Sequence, residues 1–403
     1  MTWAVLSLVE VADFELGKML DQVKNKGEPR PYLANVSVRW GEFDLADLRE
    51  MRFGAHELER FSVRHGDIVM CEGGEPGRCA RWTTPLEGVM FQKALHRIRP
   101  RAGLDGTFLY YQFLCIGRTG GFAPYFTGAT IKHLPREQLA KVQIRVPELR
   151  VQHAIAAVLE PYDNLIAVHQ RRIALLEDAA RRLYREWFVH LRFPGREIAR
   201  IQDGIPQGWH LLPLTAVADF VNGFAFKPEH QHDAGLPIVK IPELREGVSN
   251  KTPRNAGTIV PLRSHIDTGD VLFSWSGTLL VNEWSEGPAL LNQHLFKVAP
   301  RDPVHRRLLR FAIEAAIPLL LGQSVGATMQ HIRRSALDTH RILVPDGATS
   351  AAFAACVDPM MDLVLNLREQ NRQLSLTREA LLPKLMSGKL DVSSIRLPEE
   401  ATT

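Results

Sequence analysis

The sequence predicts an α+β chain: two tandem-duplicated mixed α/β domains separated by two long helices that pack on each other as an antiparallel coiled coil. Three observations predict it. The chain repeats itself at a domain-sized period, each copy opens with short apolar segments set between Gly- and Pro-rich turns, and each copy closes with a heptad-spaced helix. Its 403 residues suit two or three domains at ~100–200 residues each.

The repeat comes first. WAVLSLVEVADF begins at Trp3 and WHLLPLTAVADF begins at Trp209, 206 positions later. Gly66-Asp67-Ile68-Val69 answers Gly269-Asp270-Val271-Leu272 at an offset of 203, and Phe91-Gln92-Lys93 answers Asn292-Gln293-His294 at 201. Gly128-Ala129-Thr130-Ile131-Lys132-His133-Leu134 answers Gly326-Ala327-Thr328-Met329-Gln330-His331-Ile332, and Pro147 answers Pro345, both at 198. The offset falls in small steps in one direction, as loop deletions inside a duplicated unit produce. The period is far longer than that of a solenoid, so each copy is a domain.

Within each copy the order of parts is the same. Asp67-Ile68-Val69-Met70-Cys71 and Asp270-Val271-Leu272-Phe273-Ser274 read as strands, each followed by a turn, Glu72-Gly73-Gly74 or Trp275-Ser276-Gly277. Residues 109–116 and 306–321 read as helices, and residues 142–147 and 342–345 as strands that end in Val-Pro. The expected boundaries are 1–146 for the first mixed domain, 147–193 for a central helix and 194–207 for a hydrophilic link. The second mixed domain takes 208–345, a C-terminal helix 346–388 and a frayed tail 389–403.

The first helical seam runs Ile155, Leu159, Tyr162, Ile166, His169, Ile173, Leu176, Ala180, Leu183, Trp187, with spacings that alternate four and three. The positions 198 residues on are Phe353, Val357, Met360, Val364, Leu367, Asn371, Leu374, Arg378, Leu381, Leu385. A helix of roughly 40 residues is ~60 Å long, and such an apolar stripe needs a partner. The other copy is nearest, and the connectivity makes the pair antiparallel. His169, Asn371 and Arg378 are expected to set register. Pro161 and Pro359 hold matching places and are expected to kink or divide their helices.

Much chemistry is excluded. The net charge is +4, which allows a nucleic-acid partner without requiring one. Four cysteines without CxxC spacing speak against a zinc ribbon or a disulfide framework. No apolar run reaches ~18 residues, and the first residues carry acids and lack a basic leader, so neither a membrane span nor a signal peptide is expected. There is no GxxxxGK[ST], no GxGxxG after a strand, no (Asn/Asp)-Pro-Pro-Tyr and no HExxH. His230 and His232 read as loop residues, Asp67 and Asp270 as turn residues, and Glu72 and Glu75 find no counterpart in the second copy, where Ser274 and Leu279 stand in the corresponding stretch. No catalytic or metal site is expected.

Groups suited to DNA are spread over both domains. The first carries Lys18, Lys24, Lys26 and Arg30 near Tyr32, then Arg78, Arg81, Arg97, Arg99, Arg101, Arg118 and Lys132; the second carries Lys227, Lys240, Lys251, Arg254 and Arg263. Lys and Arg hold phosphates, and Arg, Asn and Gln read base edges. The chosen DNA-contacting candidates are Arg78, Arg81, Arg118, Lys132, Lys227, Lys251 and Arg254, with the turn Ser274-Trp275-Ser276.

The order domain, helix, domain, helix resembles the specificity (S) subunit of type I restriction–modification systems. Val146-Pro147-Glu148-Leu149-Arg150-Val151-Gln152-His153-Ala154-Ile155 followed by Asp163-Asn164-Leu165-Ile166 is similar to that family's way into its central helix, with Val151-Gln152 where Glu-Gln is usual. The stretch from Trp209 to Phe226 resembles the start of a target recognition domain. Gly269-Asp270-Val271-Leu272-Phe273-Ser274-Trp275-Ser276-Gly277-Thr278 and Leu291-Asn292-Gln293-His294-Leu295-Phe296-Lys297-Val298 resemble two of its recurrent segments. Leu382-Pro383-Lys384-Leu385-Met386-Ser387-Gly388 matches the usual end of the second helix. Gly347 and the alanine-rich residues 348–355 replace a charged start of that helix, and Cys71-Glu72-Gly73-Gly74 stands where the second copy has Ser274-Trp275-Ser276-Gly277.

The resemblance implies a non-catalytic, cytoplasmic reader of an asymmetric, bipartite DNA target, one half-site per domain, with the helices as a ruler. A ~60 Å rod compares with two duplex turns of ~34 Å. It further implies two adenine-N6 methyltransferase (M) subunits, which bring S-adenosylmethionine, and an optional pair of restriction (R) subunits using ATP and Mg. A methylation-only or related restriction system, or a coiled-coil scaffold without DNA, are the alternatives.

Overall fold

The computed structural model describes residues 3–21, 25–322, 332–392 and 395. The chain forms two compact units, Met1–Leu165 with Leu374–Thr403, and Ile166–Gln373.

In the first unit a four-stranded antiparallel sheet runs in the order Ala12–Leu16, Leu95–Pro100, Ile68–Cys71, Cys79–Arg81. The run Ile68-Val69-Met70-Cys71 is apolar throughout because both faces are covered. Ile68 and Met70 point with Phe14 and Ile98 into the core under the helix Gly106–Arg118. Val69 and Cys71 point with Leu95 into a second core built on Trp82 and Phe91. That second core carries the sheet Arg49–Phe53, Glu28–Leu33, Met90–Phe91, whose last pair is parallel. Ala4–Ser7 pairs with Gln143–Val146 and brings the two ends of the domain together.

The second unit repeats this topology. Its four-stranded sheet runs Ala218–Asn222, Leu295–Pro300, Val271–Ser274, Val281–Glu283, under the helix Arg306–Gly322. Leu236–Val239 again lies between an antiparallel strand, Arg254–Asn255, and a parallel one, Ala289–Leu291, and His265–Ile266 adds a fourth strand. His210–Pro213 pairs with Arg341–Val344. One glycine fixes the correspondence between copies. A Cβ on Gly17 would stand 2.2 Å from the Gln92 carbonyl oxygen, and a Cβ on Gly223 would stand 2.2 Å from that of Asn292. The segment is therefore offset by 200, not the 201 read from the sequence. The equivalent of 128–133 falls at 326–331, outside the described residues.

The expected helices span Leu149–Tyr184 and Gly347–Met386. Neither is divided at Pro161 or Pro359, so in that respect the sequence expectation is corrected. The ~3 kcal/mol a helical proline costs is outweighed by the packing of the surrounding turns. In the first unit Ile155 and Leu159 share a core with Leu382 and Leu385, and Arg378 donates to the Asp163 carboxylate. In the second unit His169 meets Asn371, Glu177 meets Arg368, and Trp187 meets Phe353. Rising numbers on one helix meet falling numbers on the other, so the pair is antiparallel.

Val357 and Val364 are fully buried and Leu367 nearly so. Ile173, Leu176 and Leu183 are half-buried against the same core, Leu381 against that of the first unit, and Ile166 and Leu374 are half-buried. Met361, rather than Met360, takes the deepest place at its turn. The central helix ends in a wider π turn, Arg185–Val189, which brings the neighbours Trp187 and Phe188 onto one buried face.

The expected link 194–207 contains a hairpin. Ile201–Gln202 pairs with Ile205–Pro206 across Asp203 and Gly204, both with positive φ (50° and 79°), as a type I′ turn requires. Of the expected tail, Val392 is buried and Ile395 packs on the first domain's core, and 393–394 and 396–403 lie outside the described residues. The C-terminal helix is long and apolar enough to cross a bilayer; its apolar side is occupied by the contacts just named.

Candidate nucleic-acid interface

Each domain is fastened to its long helix by an arginine. In the first unit Arg81 donates to Thr107 on one side and to Glu160 of the central helix on the other. In the second unit the position of Arg81 is taken by Glu283, and Arg307 crosses from the helix below it to Glu283 (3.1 Å) and to Asp358 and Asp362 of the C-terminal helix (3.1 and 2.6 Å). Glu160 and Asp358 are equivalent residues, so the acid on the helix is kept while the arginine changes element.

These contacts bear on the candidate DNA residues. Arg81 and Arg118 spend their guanidinium groups on the helices, Arg118 on Glu379 at 2.8 Å. Arg78 binds Glu75 (2.9 Å) and the Asn35 carbonyl (2.8 Å) and is largely buried. Ser274 and Ser276 are buried. Ser274 Oγ donates to the Ser276 carbonyl, Ser276 Oγ lies 3.0 Å from His294 Nδ1, and Trp275 Nε1 donates to the Gln293 carbonyl while its ring lies against His294 and Phe296. The triplet builds its own turn. Lys132, Lys227 and Lys251 are exposed, and half-buried Arg254 donates to the Gly235 carbonyl beside the bridge from His232 to Arg254. Lys24 lies outside the described residues.

Other polar residues have structural duties. Asp67 caps its turn at the Arg64 amide and binds Arg99 through both oxygens (2.6 and 2.9 Å), and Asp270 accepts from the Asp267 amide and from Lys297 (2.7 Å) through Oδ2 alone. His230 closes the turn Pro228–His230. Burial and the neighbouring Asp163 carboxylate push the Tyr111 hydroxyl far above its usual range, so it stays protonated and donates to Asp163 at 2.7 Å. Burial lowers the pKa of His96, whose Nε2 bonds the Leu134 carbonyl at 2.8 Å. Among the described residues no three His, Cys, Asp or Glu side chains gather as a metal site.

One feature escaped the sequence reading. A cleft of about 530 Å³ in the first domain is bordered by Gly17, Arg60 and Arg136. A cleft of about 690 Å³ in the second is bordered by their equivalents Gly223, Arg263 and Arg334. Arg136 lies over the Phe14 ring at 5.6 Å, and Arg334 reaches the carbonyl of the equivalent Phe220 at 3.5 Å. The only sequence signal was the repeat itself, with Arg136 and Arg334 two residues beyond its matched Leu134 and Ile332.

Residues 1–178 match the type I restriction modification DNA specificity domain, and the second unit repeats the topology of the first. The whole chain is similar to type I restriction enzyme specificity subunits. It is 24% identical over 351 residues to the MjaIX specificity subunit of Methanocaldococcus jannaschii, spanning 82% of this chain and 79% of that one. It is 24% identical over 193 residues to the EcoBI specificity subunit of Escherichia coli, spanning 46% and 40%. The crystal structure of the S subunit from M. genitalium superposes with a TM-score of 0.58 at 15% identity over 96% of each chain, which establishes the shared fold.

Proposed function

We propose that this chain is a type I restriction–modification specificity subunit that reads an asymmetric, bipartite DNA target, one half-site per recognition domain, and performs no catalysis of its own. The observation that carries the reading is one topology built twice with different surface residues. A duplicated reader whose copies diverge recognises two different half-sites, and the helices between the copies set an unread spacer. Lys132, Lys227, Lys251 and Arg254 are the basic candidates that remain at the surface.

The paired helices would dock two adenine-N6 methyltransferase subunits, which would supply S-adenosylmethionine, with ATP and Mg belonging to restriction subunits where these join, all in the cytoplasm. Val168 and Leu175 support this: they lie a heptad apart, turned away from the seam and more than half exposed.

The test is to map N6-methyladenine in DNA from cells carrying the system with and without this chain. Methylation confined to one split motif, and lost with the chain, is the expected result. Unchanged methylation refutes the proposal. Purified chain with its methyltransferase that binds all duplexes alike at every salt concentration points instead to a scaffold.

A further inference from the structure

We infer that the cleft repeated in both domains grips the phosphodiester backbone of DNA, with Arg136 and Arg334 as equivalent phosphate anchors. The inference deepens the DNA-reading proposal above and rests on it.

The two clefts are one construction made twice. Gly17 and Gly223 let the chain turn tightly against the Gln92 and Asn292 carbonyls, and the strands holding Phe14 and Phe220 form one wall. Arg136 and Arg334 stand opposite, each held against its phenylalanine and exposed. Neither makes an ion pair within 4 Å among the described residues, unlike Arg78, Arg81, Arg118 and Arg307, each of which does. Arg136, lying over the Phe14 ring, keeps its donor fork free for a planar pair of oxygens, and Arg334 gives one Nη2 hydrogen to the Phe220 carbonyl and keeps its other donors for the same use. The carboxylates nearby are mostly spent: Glu15 on Arg60, Glu57 on Lys18, Asp219 on Arg301.

The pattern of change between copies identifies the ligand group. Around the constant arginines the rim diverges: Lys18 gives way to Phe224, Lys93 to Gln293 and Glu72 to Trp275. Two domains that read different bases still meet the same sugar–phosphate chain. What recurs therefore fits the common part of the ligand, and what differs fits the part that carries sequence.

The test uses the full chain with its methyltransferase, the target duplex and an unrelated duplex, and affinity measured against salt concentration. Each of Arg136→Gln and Arg334→Gln should lower the slope of log affinity against log salt by about one, equally on both duplexes, and the double variant by about two. Arg136→Lys and Arg334→Lys should keep the slope, and thermal midpoints should not move. An unchanged slope in the glutamine variants, a loss confined to the target duplex, or lysine variants as impaired as glutamine ones would overturn the assignment while leaving DNA reading in place. A parent complex with no target preference and no salt dependence would overturn both.

Discussion

His169 and Asn371 face each other at 2.9 Å in the helix pair of the second unit, and the Asn371 amide donates back to the Ile166 carbonyl. His169 is buried, and its hydrogen-bonding partner lies on the opposing helix. A polar pair in an apolar seam costs stability but penalises a slipped register, which would strand both groups. Asn371→Leu leaves His169 unsatisfied and should cost ~1–3 kcal/mol in urea denaturation. His169→Leu with Asn371→Leu should recover that loss.

Arg307 is almost fully buried against an equally buried Glu283. Arg307→Met leaves the carboxylate unpaired and should cost ~3–5 kcal/mol. Adding Glu283→Gln should return much of it. The matching Arg81→Met should cost less, about 1 kcal/mol, because Arg81 and Glu160 are partly in water (18% and 37% exposed). Paired denaturation curves distinguish the two.

The helix faces should separate by function. Ile173→Asp with Leu176→Asp places two charges in the packed seam and should lower stability by several kcal/mol, read as a fall in thermal midpoint. Val168→Asp with Leu175→Asp should leave the midpoint in place and weaken methyltransferase capture.

Acid should loosen the first domain through His96. Its folded pKa is depressed, chiefly by burial, and Nδ1 is buried without a partner, so protonation strands a new N–H. A histidine with a lowered folded pKa binds more protons when unfolded. Its stabilising contribution is therefore full above the unfolded value near 6.5 and is lost as pH falls below it. His96→Gln should flatten the stability profile between pH 7 and 5.5.

The doubled topology and the antiparallel helices were legible because both rest on patterns of apolar spacing that repeat. Ile68 to Cys71 read as a strand for the same reason that it is one, an unbroken apolar run covered on two faces. The candidate site was much less legible. Residue type cannot tell Arg81, held by Glu160 79 positions away, from Arg136, which faces solvent. Nor can it foresee that Ser274 folds back on Ser276. Pro161 and Pro359 do not divide their helices because packing of the surrounding turns offsets the local cost.

The acid shared by residues 160 and 358 has an evolutionary consequence. Each stalk offers a fixed negative socket, and a head is accepted so long as some arginine reaches it, from a strand in one copy and from a helix in the other. A head can thus be rebuilt extensively, or traded for another of its kind, without retuning the stalk beneath it.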